Sequence, residues 1–561
     1  MKKSELSQII ILFSALFVSL LLTCIYRDIY GMECRNAAFA KEMLHGLKFI
    51  PTYLHKPYPD YTPLFFWLEV FFAKIIGKLN TLATVLPSTV AYLGSVLLVY
   101  VAARRISNSL ALLCAVILAS FPKFWDRGAH VSIDMLLCLE VTGALISLYL
   151  PWQKYGRNTW KSLALAFTFI ILAFFTKGLV GIVLPVAVWT VYLVITQKQK
   201  AIKPLAIFLG IAIIITIICI SFELFMDYYE YNMAFVKRVI YMQITSRLES
   251  KPNQTLLYYP RQLINNTFPW WIITICVLFC VSSLKNLKAK WSSLNKALST
   301  PEKNLAIFGI CWFATIFLIF EIASCKHSRY ILPALPGLAL FMGVLIYKGF
   351  KSHTLAKLST IFKIIAFISI FLPAIVIPLI PHIHGLKTPT LHIDVILICS
   401  ILGLAIWLII NKHASKTLQP WLYTAMTTIF LMTAVAVIFT PSYSHIESGK
   451  PFMQSLDKHI MQLPHNMTNK PVYVAGIYWD GNGVKLSYYK PDDIRLDFLN
   501  SFNQLKNITT PFIVIIYKKD EKLLYSTLKE SQIKLLCKGL VHKAPVEALI
   551  ITKQPEAQKE N

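Results

Sequence analysis

The chain has 561 residues, 56% hydrophobic and 15% charged, with a formal net charge of +27. Soluble domains carry roughly a quarter charged residues, so a soluble globular protein is excluded, and the basic excess points to membrane loops rather than to nucleic acid. Apolar runs near 20 residues suit helices crossing a hydrocarbon core of about 30 Å, whereas barrel strands would alternate.

The N-terminal "MKKSELSQIIILFSALFVSLLLTCIY" starts like a signal peptide, but its apolar run is long and no small-residue cleavage site follows. It is expected to be a retained first span. Residues 27–81 then form a polar first loop. Within it, "ECRNAAFAKEMLHGL" repeats Phe39, Met43 and Leu47 at helical spacing, which predicts an amphipathic helix on the membrane surface. The stretch "PLFFWLEVFFAKIIG" at 63–77 is short and contains Glu69 and Lys74, so it is expected in the interface rather than across the bilayer.

Further spans are expected at 82–103, 109–122, 132–150, 161–175, 178–196, 204–222, 270–284, 305–321, 331–347, 361–381, 391–410 and 421–440, about thirteen in all. With the N-terminus inside, the loops "ARRISN", "WQKYGRN", "QKQKAIK" and "NKHASK" all fall on the inner side and are basic, as the positive-inside bias requires. On the inner side as a whole the only acidic residues are Glu5 and Glu302. Chemistry is therefore expected at the outer face.

Beyond residue 441 the composition becomes mixed and polar. "PVYVAGIYW", "PFIVIIY" and "EALIIT" read as strands, "DGNG" as a turn and "DEKLLYSTLKESQI" as a helix. The expected fold class is thus an α-helical polytopic membrane protein, 1–440, with a small outer α/β or α+β domain, 441–561. The cysteines lie mostly in apolar runs with no metal-type spacing.

Several ionisable residues stand at span boundaries. Asp134 enters a span behind "HVSI", where it serves either as a helix cap or as a cavity group. Glu140 lies deeper in the same run. Lys177 in "TKG" either pairs with an acid or a phosphate or snorkels at a span end, while Lys326 and Arg329 in "CKHSRY", and Arg247 and Arg261 in the long outer loop 223–269, are suited either to anionic headgroups or to a bound phosphate.

The ordered motifs "ECRNAAFAKEMLHG", "HKPYPDYTPLFFW", "DRGAHVSIDMLL", "FFTKGLVGIVLPV", "TFPWW" and "SCKHSRYILPALPGLALF" resemble the polytopic glycosyltransferases of the GT-C fold, in the group of the bacterial lipid A 4-amino-4-deoxy-L-arabinose transferases and the protein O-mannosyltransferases. The resemblance covers roughly 7–350. It implies transfer of a sugar from an undecaprenyl-phosphate carrier to an acceptor at the periplasmic side of a bacterial inner membrane, with inversion. Lipid A or another envelope glycan is the expected acceptor and a protein hydroxyl the alternative. A transporter of lipid-linked sugar is the rival from another class.

On that resemblance Glu33, Asp60 and Asp134 are the catalytic candidates. Lys326, Arg329, Tyr330, Arg247, Arg261 and Lys177 are the candidates for the lipid phosphate. Two departures stand out: Met32 occupies the place of the family's catalytic Asp, and Tyr61 that of a lysine. Either Glu33 takes over, or Asp28 or Asp60 substitutes, or turnover is weakened or specialised. Some relatives bind a divalent cation, but no strong ligand spacing occurs here and no metal is assigned.

Overall fold

A computed structural model describes residues 3–25, 27–44, 46–54, 56–197, 200, 202–242, 255, 257–280, 298–349, 352–376, 393–464, 467, 470–478, 481–528 and 533–552. The chain forms two compact units: residues 1–25, 46–52 and 56–437, and residues 26–45, 53–55 and 438–561.

The first unit is a bundle of helices, and the apolar windows read from the sequence fall on helices; residues 281–284, 377–381 and 391–392 of those windows lie outside the described residues. Among the described residues eight helices are long and apolar enough to cross a membrane, and a ninth if a bent pair counts as one span. The chain is a multi-pass membrane protein. The bent pair corrects the expectation of a simple span at 109–122: the helix stops at Ala119 and the chain turns by 72° into Pro122–Gly128. Pro122 lacks the N–H that would continue the ladder, and Ser120 turns its hydroxyl back onto the Val116 carbonyl at 2.5 Å. The window at 204–222 is also longer than expected, since its helix runs from Ile202 to Glu230. The stretch after the first loop is a short helix, Leu64–Ile76, with Glu69 fully buried.

Close packing in this unit depends on glycine. The helices Thr300–Ile322 and Leu335–Gly349 meet at Gly309 and Gly337, where a Cβ on Gly309 would lie 2.6 Å from the Gly337 carbonyl oxygen. Small residues permit such backbone approach in membranes.

In the second unit the first-loop helix, Glu33–Met43, departs from its expected form. Eight of its residues are buried, Glu33 and Asn36 among them, so it does not lie on a surface by one apolar face. Leu47 lies beyond its end and is exposed. The helix packs on another, Gly483–Tyr489, that the sequence had not suggested; Lys41 Nζ reaches the Lys490 carbonyl at 2.8 Å and Asp492 at 3.1 Å.

The same unit contains a five-stranded mixed sheet. Its strands are β1 (Val472–Val474), β2 (Leu496–Phe498), β3 (Phe512–Tyr517), β4 (Ile533–Val541) and β5 (Ala544–Ile551), in the spatial order β2-β1-β3-β5-β4. β1 runs parallel to β2 and β3, and β5 antiparallel to β3 and β4. Ile513 and Ile515 join one core while Phe512, Val514 and Ile516 join the other. Burial on both faces explains the unbroken apolar run of β3. The expected helix 520–533 ends earlier, at Thr527, and Ile533 already begins β4. As an edge strand, β4 exposes Lys534 and Lys538, which hides its strand pattern in the sequence.

One buried carboxylate, Glu447, gathers charge in this unit. Glu447, 2% exposed, receives His542, Lys485 at 3.7 Å and Lys543 at 3.5 Å. His542 and Lys543 form the two-residue turn between β4 and β5 with φ of +54° and +61°. That conformation costs side chains other than glycine on the order of 1 kcal/mol each, and the shared carboxylate offsets it.

Two outcomes are expected. Gly309→Leu should lower the thermal midpoint of the detergent-solubilised protein, at a cost of about 1–3 kcal/mol for overpacking. Burial raises the Glu447 carboxyl, but His542, Lys485 and Lys543 outweigh it and hold the group below its ordinary value. Its contribution is therefore complete above the ordinary glutamate range and lost as pH falls through the lower folded-state value. Amide exchange in β4 and β5 should accelerate in that acidic window for the wild type, and Glu447→Gln should remove that part of the pH dependence.

Candidate active site

Helix Ile133–Tyr155 ends at Gly156, whose φ of +66° suits a glycine after a helix, and the next helix, Trp160–Lys177, starts with a Thr159–Ser162 capping box. The two therefore run back antiparallel. Asp134 and Lys177 lie almost equally far on either side of the turn, so they meet at the same end of the hairpin. A third element, the 3₁₀ segment Ser328–Ala334 ahead of the helix from Leu335, brings Arg329 and Tyr330 to the same place.

The resulting cluster is compact. Asp134 is 5% exposed, and its carboxylate is shared by Lys177 through Oδ1 and by Arg329 through Oδ2 at 3.1 Å. Lys177 Nζ stands 4.3 Å from the centre of the Tyr330 ring, and the Arg329 guanidinium 5.5 Å. One carboxylate facing two cations leaves a net positive charge at the rim of a buried site. That arrangement attracts an anion and requires little reorganisation to hold it. Burial, and next Arg329, hold the His327 imidazole below its ordinary pKa, against the opposing pull of Asp134. It is accordingly neutral at pH 7.

Other groups border this cluster. Tyr61 lies within electrostatic reach of Arg329 and stacks on Tyr58 with ring centres 5.5 Å apart. Asp60, one residue before Tyr61 in the chain, is half-buried in the turn ahead of helix Leu64–Ile76. Asp126 gathers Lys123 at 3.3 Å, Arg127 at 3.2 Å and His130 at 3.4 Å, a ring of bases the sequence reading had not singled out. Its signal was visible in "KFWDRGAH". Glu140 is buried deeper, with one oxygen accepting from Thr176 at 2.8 Å.

The remaining candidates lie elsewhere. Lys326, 4% exposed, pairs with Glu321 at 3.1 Å, and the same carboxylate accepts from the Leu257 amide at 2.7 Å and the Tyr259 amide at 3.2 Å. Leu257 has a φ of +73°, so Glu321 fastens a strained helix start. Arg261 is exposed on helix Tyr258–Asn266, and Arg247 lies outside the described residues. Glu33 belongs to the second unit. There it is held in a two-pronged pair by Arg27, at 2.6 Å and 3.3 Å, with the Arg27 side chain fully buried. Among the described residues no group of three or more His, Cys, Asp or Glu is placed to hold a metal ion.

Glu321→Gln should loosen the fastened segment: exchange at the Leu257 and Tyr259 amides is expected to rise about tenfold, the equivalent of about 1.4 kcal/mol. Unchanged exchange would assign the strain at Leu257 another support.

The chain is similar to known proteins along much of its length. Residues 56–222 match the family described as dolichyl-phosphate-mannose-protein mannosyltransferase. The undecaprenyl phosphate-alpha-4-amino-4-deoxy-L-arabinose arabinosyl transferase 2 of Proteus mirabilis is 23% identical over 80% of this chain and 79% of its own length. A transferase of the same kind from Pectobacterium atrosepticum is 26% identical over 56% of this chain and 54% of its own. The crystal structure of ArnT from Cupriavidus metallidurans bound to undecaprenyl phosphate superposes with a TM-score of 0.69 at 18% identity, covering 96% of this chain and 97% of that one. The family motif lies over the hairpin that carries Asp134 and Lys177, and the fold agrees along nearly the whole chain. The chain therefore has the GT-C fold of that solved neighbour, and it is similar to glycosyltransferases.

Proposed function

We propose that the protein moves a sugar from an undecaprenyl-phosphate carrier onto an envelope glycolipid such as lipid A, at the periplasmic face of a bacterial inner membrane. The relatives' named activity and the carrier bound in the solved neighbour support this reading. The basic loops support a cytoplasmic N-terminus, which turns the helix ends bearing Asp134, Lys177 and Arg329 to the outside. Transfer is favoured over transport because the charged groups gather at one end of the bundle rather than at mid-depth.

The observation that carries the proposal is the single buried carboxylate held between Lys177 and Arg329. In the reaction the bond from the anomeric carbon to the phosphate oxygen breaks, and the carrier phosphate leaves with the electron pair. The acceptor oxygen closes on the opposite face of the sugar, through an oxocarbenium-like state. Lys177 and Arg329 neutralise the charge growing on the leaving phosphate, with Tyr330 beside them. Asp134 positions both cations before the carrier arrives. Asp60, in the turn next to Tyr61, is the candidate to take a proton from a hydroxyl acceptor; an acceptor phosphate needs none. Glu33, committed to Arg27, orients the first loop. Lys326 acts through Glu321 on the segment at 255–259.

The test is release of undecaprenyl phosphate from a radiolabelled lipid-linked sugar by purified protein in nanodiscs. Asp134→Asn is expected to slow release at least a hundredfold, and Arg329→Lys at least tenfold, since lysine cannot reproduce the guanidinium geometry. A rate within twofold of wild type for Asp134→Asn would overturn the assignment. A sugar phosphodiester product would identify a phosphate acceptor, and a glycoside of Ser or Thr a protein one.

A further inference from the structure

A groove with an open volume of about 600 Å³ runs between the helices Lys3–Ile25, Asn108–Ala119, Ile393–His413 and Gln419–Ser448. Folded interiors close nearly all voids larger than a water molecule. The walls are chiefly leucine, isoleucine and alanine, so water fills the groove poorly and hydrocarbon fills it well. On the first helix the lining runs from Ile10 to Leu22 and on the last from Leu422 to Thr433, a length of roughly 16–18 Å at the helical rise. One leaflet of the hydrocarbon core is about 15 Å deep. The groove is as long as a single leaflet.

Its polar lining is uneven. Asn108, Ser109, His413 and Ser415 stand at the end where helix Asn108–Ala119 starts and helix Ile393–His413 stops. Farther along, the polar side chains of the lining are the hydroxyls of Ser14, Ser19 and Thr433, and the last two turn back onto the Leu16 and Ile429 carbonyls at 2.8 Å each. The segments that bound the polar end, 104–108 and 411–418, contain Arg104, Arg105, Lys412 and Lys416, all exposed, and no acidic residue. None of the four pairs with a carboxylate among the described residues. Loop bases serve orientation in any polytopic protein; here they also flank the polar end of an apolar groove.

That end is remote from the Asp134 cluster. The Ser132 amide donates to Ser88 Oγ at 2.8 Å, so the start of helix Thr81–Arg104 stands at the level of Asp134. Arg104 closes the same helix roughly 24 Å further on. A carrier with its phosphate at Asp134 therefore cannot also place that phosphate at the basic end of the groove.

We propose that the groove holds one anionic glycerophospholipid, its acyl chains between the first helix and the helices Ile393–His413 and Gln419–Ser448, its phosphate at the end bearing Arg104, Arg105, Lys412 and Lys416. The bases supply charge, and Asn108, Ser109 and Ser415 supply N–H and O–H donors. On the orientation given above the lipid belongs to the cytoplasmic leaflet. A zwitterionic lipid offers the same chains without net charge, so the headgroup decides which lipid is kept. This assignment is independent of the reaction performed at Asp134.

The experiment takes the full-length protein in detergent, stripped of lipid and then given equal amounts of dioleoyl phosphatidylglycerol, dioleoyl phosphatidylethanolamine and undecaprenyl phosphate, and counts retained lipid by native mass spectrometry. The wild type is expected to keep phosphatidylglycerol at least fivefold over phosphatidylethanolamine. Ala405 is exposed and lines the groove, so Ala405→Phe fills it from one wall. Retention of phosphatidylglycerol should then fall at least fivefold, with undecaprenyl phosphate within twofold of wild type. Arg105→Gln combined with Lys412→Gln leaves the groove open and should bring the two phospholipids within twofold of each other. Both positions are exposed, so this pair keeps the test decisive if the filled variant does not fold. Equal retention of the two phospholipids by the wild type, an unchanged preference in the charge variant, or undiminished phosphatidylglycerol in the filled variant overturns the proposal. Loss of undecaprenyl phosphate in place of phosphatidylglycerol on filling the groove also overturns it, and gives the groove to the carrier's tail.

Discussion

The structure of the first unit turns on one carboxylate, Asp134, shared between Lys177 and Arg329. A charge at that depth is tolerable only while its partners are present; removing one leaves an uncompensated buried ion. The requirement fixes more than three side chains. Helix Ile133–Tyr155 must begin, helix Trp160–Lys177 must end and the segment Ser328–Ala334 must start at one level. The turn at Gly156 and the close approach of Gly309 to Gly337 keep the helices in that alignment. An anion arriving at the cluster meets cations already held in position, which is how fixed dipoles and charges lower a barrier.

Buried acids recur through the chain, and their surroundings separate their roles. Glu321 collects two amides and Lys326, and so serves the backbone. In the second unit Glu447 gathers cations around a strained turn, while Glu33 is closed by Arg27. Each is paired within its own unit. Asp134 holds two cations where the ends of three elements meet, and Asp227 leaves an oxygen unmet.

Much of the site was legible in the sequence because membranes penalise charge. Asp134, Lys177, Arg329 and Tyr330 stood at the edges of apolar runs, where an ionisable group has few ordinary reasons to be. Hairpin parity then predicts that residues at like ends of neighbouring spans share a face of the bilayer. Glu33 and Lys326 looked equally conspicuous, and the folded chain pairs them with Arg27 and Glu321. Their partners, Arg27 and Glu321, are close in sequence but carry no mark that distinguishes a clamp from a phosphate site. Asp227 was present as the acidic spacing of "FELFMDYYE" and went unread, since acids after a span resemble a solvated helix end.

The sequence by itself determined the membrane class, the positions of the long apolar helices and the strands β1, β3 and β5, because burial periodicity and span length are local properties. Tertiary structure alone decided that the window at 109–122 bends, that the first-loop helix is buried on several sides, and that residues 520–533 divide between a helix and the edge strand β4. It also decided which acids are neutralised. Pairing depends on what approaches through space, and neither hydropathy nor spacing along the chain records that.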